Sequence, residues 1–503
     1  MTALPPFLQR IDLRWGAVLL SCLFSLLVIT LNPIPNDDAF GYLRAAELFV
    51  SDGLQATLTS YGWYGYSVLI GLVDAVLPGD LMTSAHVLNI LAFAVLVYAF
   101  ITLVMSYQHS PPVTFFAVVV ILCFPTLNEM RFNLIRDFGY WGLCLSALVQ
   151  LIRYCRTSHS RHAVGWVLAM TAAIVFRLEG LLIMLVSPVA LLLQREVALN
   201  ERLVRAGTLY VLAAAGGIVL LLLFLPADIS LIDVFRFAYR WYLPLLSNYP
   251  ETLTNAAAGT PLALDVTTDL DGFTGKGFFI LGLGFVYATV LNLVMSLGPV
   301  VSLLLAVGFL TRKLSLPDHA RWPWWFFLGS ALLALLLFVS ILQFLTTRYA
   351  MMAALLLLSL LPLYLDSLYR QAQDSGHAKR FQRLFAACAT YFLLDSLVSF
   401  GYSKDYIEEG IDWTRSNIAA DERLTTNSPA IAYYSGLVPE YDQVDTDVMR
   451  VLDNITREGF LVLDLASREV AAIETIASRN RITELARFAN NRNDAVIVYR
   501  LSP

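Results

Sequence analysis

Two adjacent carboxylates, Asp37 and Asp38, open a polar stretch directly after the first long apolar segment of the chain. Tyr42, Arg44 and Glu47 follow within the same stretch. A carboxylate at a membrane surface can accept the proton of a hydroxyl group while that hydroxyl attacks an electrophile. The aspartate pair is therefore the first candidate for a general base, although adjacent aspartates in a loop are often only solvated.

Three further groups of charged residues lie at the ends of later apolar segments: Arg136 with Asp137, Arg177 with Glu179, and Arg348 beside Tyr349. Ionisable side chains at membrane depth are costly, and they usually face a bundle interior or a wet cavity. Each group also has an ordinary interpretation, as an interfacial salt bridge, a helix cap or an arginine that reaches the lipid head groups. Their common placement on the outer side favours one shared site.

The composition indicates the class of protein that must position these groups. The chain has 503 residues, of which 58% are hydrophobic and 15% charged, and its formal net charge is −5. Such a composition is typical of a multi-span membrane protein, and the modest charge gives no indication of a nucleic-acid partner. None of the five cysteines lies in a segment predicted to be outside, so no structural disulfide is expected.

Long apolar segments predict an all-α polytopic membrane domain over residues 1–400, with about eleven transmembrane helices. The predicted spans are Trp15–Asn32, Met82–Ser106, Val113–Leu127, Phe138–Tyr154, Ala163–Phe176, Leu181–Leu193, Ala206–Pro226, Phe278–Leu310, Trp322–Leu345, Tyr349–Leu365 and Leu384–Phe400. Tyr66–Leu77 is too short to cross and is predicted to lie at the interface. The segment 278–310 is counted as one crossing with an interfacial extension, because it is too long for one untilted helix.

Arginine and lysine are concentrated in alternate loops, which places the N-terminus in the cytoplasm of an inner (plasma) membrane protein. The outer loops are then 33–81 and 227–277. The second is rich in aromatic residues and contains Arg236 and Arg240, so it is predicted to form either an interfacial lid or a belt helix. The same orientation leaves most histidines on the cytoplasmic side, so that a reaction at the outer face must use carboxylates as its base.

Residues 401–503 form a charged tail without an apolar span, and the orientation makes it a small periplasmic or extracellular α/β domain. Short strands are predicted at Ala430–Tyr434, Phe460–Leu465 and Ala495–Leu501. Helices are predicted between them at Glu469–Ala477 and Thr483–Ala489.

The first outer loop carries the run Asp38-Ala39-Phe40-Gly41-Tyr42, followed by Ala45-Ala46-Glu47 and Ser51-Asp52-Gly53. This run resembles the first-loop motif of GT-C fold glycosyltransferases, which include protein O-mannosyltransferases and the lipid A aminoarabinose transferase. In that resemblance Asp38 is the counterpart of the catalytic aspartate, because it stands four positions before the tyrosine. The acidic neighbour of the motif is displaced, since Ala39 follows and Asp37 precedes, so either aspartate is a candidate base.

The resemblance extends to the later charged groups and implies their roles. Asp137 resembles a second acidic position of the family, and Arg348-Tyr349 resembles an Arg-Tyr pair associated with the lipid phosphate. Arg177-Leu178-Glu179-Gly180 is similar to an Arg-x-Glu-Gly turn of some bacterial members. Tyr42, Arg44 and Arg136 would support these groups.

The implied reaction is a hexosyl or pentosyl transfer from a polyprenyl-phosphate-sugar donor to an acceptor hydroxyl of a lipid, glycan or protein. Asp38 would accept the proton in an inverting displacement, and Arg348 would stabilise the leaving phosphate. Asp37 and Asp137 are candidate oxygen ligands for a divalent cation such as Mg²⁺ or Mn²⁺, or they orient Arg136 or Tyr42.

Three other classes of protein are consistent with parts of the sequence. A lipid-linked glycan flippase or transporter would carry charges in the middle of its spans and two related halves, and neither is evident here. An O-antigen ligase or polymerase often uses histidine at its outer face, where this chain has little. A membrane scaffold that presents its tail would not depend on Asp38 or Arg348.

Overall fold

A computed structural model of the chain describes residues 12–61, 64–77, 79–224, 270–342, 344–397, 404–453, 459–479 and 483–501, together with positions 230, 232, 233 and 236. Most of the predicted lid at 227–277 therefore lies outside the described residues. The elements below are numbered in chain order within this part of the chain.

The first apolar segment forms α1, Leu13–Leu31, whose first turn is capped by the side chain of Asp12. The outer loop that follows is almost entirely helical and consists of α2 (Asp38–Asp52), α3 (Leu54–Ser60) and α4 (Tyr64–Val76). α2 ends at Gly53, which has a φ of 84° and so allows the chain to turn into α3. α4 is the short apolar segment predicted at the interface, and at 13 residues it is shorter than a membrane-crossing helix.

Four helices form the densely packed centre of the membrane domain: α5 (Leu81–Tyr107), α6 (Pro111–Leu122), α8 (Asp137–Thr157) and α9 (Ser160–Phe176). A single turn, α7 (Pro125–Asn128), lies between α6 and α8. Side chains of α8 are buried on nearly every face of the helix. Glycine permits this packing, because a Cβ at Gly142 would lie 2.8 Å from the backbone nitrogen of Leu96.

The chain continues through α10 (Gly180–Val186), a 3₁₀ segment (Ser187–Leu193) and α11 (Leu199–Phe224). Beyond the undescribed loop come α12 (Leu270–Leu297), α13 (Pro299–Leu310), α14 (Asp318–Leu342), α15 (Thr347–Leu358), α16 (Leu361–Asp374) and α17 (Ala378–Leu397). The long apolar segment 278–310 is thus divided between α12 and α13. Gly298 separates them with a φ of 77°, and Pro299 begins the second helix.

Six helices of the described chain are long and apolar enough to cross a membrane, and five further apolar helices have 10 to 17 residues. The domain is therefore mostly helical and polytopic. The total of eleven crossings stays a prediction.

The tail contains a four-stranded sheet in the order β1-β2-β4-β3, formed by β1 (Leu424–Thr426), β2 (Gly459–Leu465), β3 (Thr483–Ala489) and β4 (Ala495–Leu501). β1 and β2 are parallel, whereas β4 pairs antiparallel with both β2 and β3. The helices of the tail are α18 (Asp405–Asn417), α19 (Pro429–Ser435), α20 (Val448–Asp453) and α21 (Ser467–Arg479).

The predictions of β2, β4 and α21 are confirmed, and two predictions in the tail are wrong. Ala430–Tyr434 is helical because Ser428 caps the helix and Pro429 occupies its first position. Thr483–Ala489 is a strand because it completes the sheet beside β4, and this tertiary pairing outweighs its local helical preference.

One hydrophobic core joins α2 to the tail. Phe40 of α2 is completely buried, and its ring lies 5.4 Å from that of Tyr433 and 6.3 Å from that of Tyr434. The same cluster includes residues of β1, β2 and β4. The helix that begins at Asp38 is therefore held between the membrane helices and the tail.

Candidate active site

Asp38 and Arg348 meet where the first turn of α2 faces the first turn of α15. Arg348 Nη1 donates to Asp38 Oδ2 over 2.7 Å, and the two side chains are 24% and 45% exposed. An ion pair that is open to water keeps both groups accessible to a ligand. The structure thus brings together the two residues that the sequence had proposed as base and phosphate ligand.

Asp137 lies on the other side of Arg348, at the start of α8. Its side chain is only 1% exposed and accepts a hydrogen bond from Arg177 Nη1. Its second oxygen, Oδ2, lies 3.7 Å from Arg348 Nε. Arg177 also donates to Glu179 Oε1 over 2.6 Å. These five side chains form one continuous charged network, which we call the rim cluster: Asp38, Arg348, Asp137, Arg177 and Glu179.

Tyr349 packs against both arginines of the rim cluster. The guanidinium carbons of Arg177 and Arg348 lie 5.2 Å and 5.3 Å from the centre of its ring, within the range of a cation–π contact. The ring of Phe338 in α14 packs on Tyr349 at 4.2 Å. Tyr349 therefore fixes the direction in which the two arginines point.

Asp37 belongs to a different environment from its neighbour. It lines a cavity together with residues of the tail, where its charge interacts with that of Lys404. Partial removal from water raises the pKa of the Asp37 carboxyl, and the Lys404 ammonium opposes that rise. The two adjacent aspartates therefore lie in two separate environments.

The remaining candidates have structural surroundings. Tyr42 is buried, and its ring makes edge contacts with those of Tyr61 and Tyr66 at 5.5 Å and 4.9 Å. Arg44 pairs with Glu47 at 3.0 Å and lies 4.0 Å from Asp442 of the tail, so it joins α2 to the tail.

Arg136 is buried just before α8, and its charge acts on Tyr42 and on Glu179. It is thus electrostatically linked to the rim cluster. Among the described residues, no group of three or more His, Cys, Asp or Glu side chains is arranged to hold a metal ion. The described residues therefore give no support to a cation held by Asp37 and Asp137, which lie in separate environments.

Arg131 is a buried arginine whose position the sequence did not explain. It is 3% exposed and donates to Ser21, Ser25 and Asn128, while its guanidinium lies 3.8 Å above the ring of Phe93. Neutral oxygens therefore hold this charge and attach α1 to the segment before α8. The only signal in the sequence is the pair of serines spaced one helical turn apart in an apolar run.

An apolar cavity of about 350 Å³ begins beside Glu179 and continues between α10 and α14. It is lined by Leu178, Glu179, Leu181, Leu182, Leu185, Ala334, Leu337, Phe338, Ile341 and Leu342. Glu179 is the only ionisable residue in this set, so the cavity offers a hydrocarbon-like path that starts at the rim cluster.

No protein-family model matches the sequence, and no curated protein matches it significantly. Among solved structures, the oligosaccharyltransferase of Archaeoglobus fulgidus in complex with zinc and sulfate aligns with a TM-score of 0.51 at 12% identity, over 97% of this chain and 73% of the other. Its apo form aligns with a TM-score of 0.50 at 12% identity, over 97% and 74%. ArnT from Cupriavidus metallidurans bound to undecaprenyl phosphate aligns over 97% of both chains at 12% identity, but with a TM-score of only 0.39. The archaeal enzyme has the GT-C fold, so the predicted fold type is confirmed.

Proposed function

We propose that this chain is a membrane glycosyltransferase that moves a sugar from a polyprenyl-phosphate donor to an acceptor hydroxyl at the outer membrane face. The observation that carries the proposal is the contact between Asp38 and Arg348, with Asp137 on the far side of the arginine. The reaction requires a base and a residue that binds the phosphate. The contact of 2.7 Å between the two candidates means that one sugar phosphate could reach both.

Arg348 is proposed to bind the phosphate of the donor. Its guanidinium can present two parallel N–H donors to phosphate oxygens, which suits a leaving group that gains negative charge. Its place in the first turn of α15 limits its movement, and Asp137 and Tyr349 hold it from behind. A preorganised cation of this kind stabilises the transition state without reorganisation.

Asp38 is proposed to act as the base. The acceptor oxygen forms a bond to C1 of the sugar while the bond between C1 and the phosphate oxygen breaks. The acceptor proton moves to Asp38, and the electron pair leaves with the polyprenyl phosphate. Because the attack comes from the side opposite the phosphate, the configuration at C1 is inverted.

The pairing of Asp38 with Arg348 suggests that the donor must bind before Asp38 can accept the proton of the acceptor. A donor phosphate competes with Asp38 for the Nη1 donor of Arg348, so that donor binding releases the carboxylate to accept a proton. The apolar cavity between α10 and α14 begins at the same cluster and suits the isoprenoid chain of the donor.

The test uses full-length protein in vesicles with a panel of polyprenyl-phosphate-linked sugars. Mass spectrometry would follow both the release of polyprenyl phosphate and the glycosylated product, with extracts of the cell envelope as the acceptor source. We expect release that depends on Asp38 and Arg348 but is unchanged in Arg321→Ala, an exposed arginine at the start of α14. Transport of intact lipid-linked sugar without release would instead identify a flippase.

A further inference from the structure

A polar cavity of about 360 Å³ lies between the first outer loop and the tail. Its lining includes Asp37 of the first outer loop and, from the tail, Tyr406, Asn427, Ser428, Thr446 and Asp464. We call it the tail cavity. Its volume lies within the range of small-molecule sites, about 300–1,000 Å³.

The tail cavity opens at the carboxyl ends of two neighbouring parallel strands. Asn427 directly follows β1, and Asp464 stands at the end of β2. In open α/β sheets, this edge is the usual position of a ligand, because the chain leaves the sheet there and the loops spread apart. The position in the fold is thus evidence for a binding site, and this evidence is independent of which residues line the cavity.

Hydrogen bonds fix the floor of the tail cavity. Asn427 Nδ2 donates to the backbone oxygen of Asp464, and the backbone nitrogen of Asp464 donates to Asn427 Oδ1, both over 2.8 Å. The hydroxyl of Tyr406 donates to Asp464 Oδ1 over 3.3 Å. Asp464 is therefore held firmly, with its second carboxylate oxygen left to accept further hydrogen bonds.

The four carboxyl groups of the tail cavity fall into two pairs, one that holds loops in place and one that is available to a ligand. Glu469 accepts from the backbone nitrogen of Ala466, and Asp494 accepts from that of Ser467 and from the amide of Asn490, so these two acids stabilise the loops. Asp37 and Asp464 both interact with the charge of Lys404. One positive charge thus acts on two carboxylates that belong to different parts of the chain.

This lining favours a neutral molecule with many hydroxyl groups. Carboxylates can accept hydrogen bonds from two vicinal hydroxyls at once, Ser428 adds a hydroxyl group, and Tyr406 supplies an aromatic edge. A phosphate or a carboxylate ligand would meet more negative than positive charge. A lipid chain would find few apolar side chains, because only Pro429, Val448 and Ala466 in the lining are apolar.

We propose that the tail cavity binds a sugar unit of the acceptor, which makes the acceptor a glycan. The inference rests on the proposed glycosyl transfer, and the link between the two sites is the peptide bond that joins Asp37 to Asp38. Because consecutive Cα atoms are about 3.8 Å apart, the two sites are near enough for adjacent sugar units of one glycan to occupy them, although the two carboxylates face different neighbours.

Binding can be measured without any transfer. Saturation-transfer NMR on the full chain in detergent would use methyl glycosides of glucose, galactose, mannose and N-acetylglucosamine as probes, with spermidine as a cationic probe. We expect signal from at least one neutral glycoside. It should fall at least fivefold in Asp464→Asn and in Thr446→Trp, which fills the cavity from an exposed loop. Asp421→Asn, an exposed carboxylate elsewhere in the tail, is the matched control and should bind normally.

Asp38→Asn separates the two proposals. It should lose transfer and keep the glycoside signal, because Asp38 belongs to the rim cluster. Glycoside binding that persists together with the absence of transfer in the wild type would contradict the proposed function and leave the sugar site standing. Three results would overturn the sugar site: no glycoside signal in the wild type, equal signal in Asp464→Asn and Thr446→Trp, or binding of spermidine alone.

Discussion

Arg348 Nη1 donates a 2.7 Å hydrogen bond to Asp38 Oδ2, although 310 positions separate the two residues in the chain. The contact joins the first turn of α2 to the first turn of α15. A single guanidinium nitrogen makes the contact. A phosphate that binds this nitrogen would therefore release the carboxylate of Asp38. The predictions below follow from this pair and from the residues around it.

Asp38→Asn is expected to reduce transfer at least about 100-fold, because an amide cannot accept the acceptor proton. Asn preserves the shape of the side chain, so the protein should still fold and still bind polyprenyl phosphate. Asp37→Asn should instead raise the KM for the acceptor and leave kcat nearly unchanged. Steady-state kinetics in vesicles would check both variants. Loss of kcat in Asp37→Asn with normal turnover in Asp38→Asn would move the base by one residue.

Arg348→Ala is expected to weaken the binding of polyprenyl phosphate about 10- to 100-fold, because it removes the charge-assisted contact between the guanidinium and the phosphate. Arg348→Lys should recover only part of the affinity, because an ammonium cannot make the two parallel bonds. Titration of the purified protein with undecaprenyl phosphate, followed by native mass spectrometry, would measure this. Arg321→Ala should bind like the wild type. Unchanged affinity in Arg348→Ala would refute the phosphate role.

Asp137→Asn is expected to destabilise the protein by about 1.5–3 kcal/mol, because it removes one of the two carboxylates that pair with the buried Arg177 and leaves only Glu179. Thermal unfolding in detergent would show this as a clear fall in Tm. The pair of the exposed Glu201 with the partly buried Arg205 provides the control, since Glu201→Gln leaves no buried carboxylate or cation without water and should change stability by less than about 1 kcal/mol. A double variant, Asp137→Asn with Arg177→Gln, should be more stable than the sum of the single changes predicts. Simple additivity would show that the ion pair does not couple the two residues.

Stability should depend on pH through Asp464. Burial raises the pKa of its carboxyl from 3.8 to about 6, so the folded protein holds this proton more tightly than the unfolded chain does. The group therefore adds stability at low pH, and that contribution is lost as the pH rises through about 6. Asp464→Asn stays neutral, so its Tm relative to the wild type should increase by roughly 1–3 °C between pH 5 and pH 8. A difference in Tm that is independent of pH would contradict the raised pKa.

The sequence predicts that the residues of the rim cluster meet, because they stand at the ends of apolar segments, and the structure brings their side chains together. The distribution of arginine and lysine in the loops predicts that Asp38, Asp137, Arg177 and Arg348 lie on one side of the membrane, where opposite charges pair because unpaired ones are costly. The direction of each side chain was beyond this reasoning. Asp37 and Asp38 begin the same helix, and residues about 100° apart around a helix axis face different neighbours.

The tail cavity had no comparable signal. Lys404 and Asp464 lie in a polar region where charged residues are ordinary, and only the pairing of β1 with β2 brings Asn427 to Asp464. To predict that pairing from the sequence, every helix and strand of the tail would have to be assigned correctly. The sequence predicts a helix at Thr483–Ala489 because its leucine, alanine and charged residues favour one locally, but pairing with β4 outweighs that preference and makes the segment a strand.

The core shared by Phe40 and the aromatic residues of α19 makes the tail and α2 dependent on each other, both in engineered variants and during evolution. A tail expressed by itself would present that aromatic face to water and should aggregate. Chimaeras that exchange tails between related chains should work only when α2 is exchanged with them. Substitutions at the contact surface of α2 should accordingly co-vary with substitutions at the contact surface of α19.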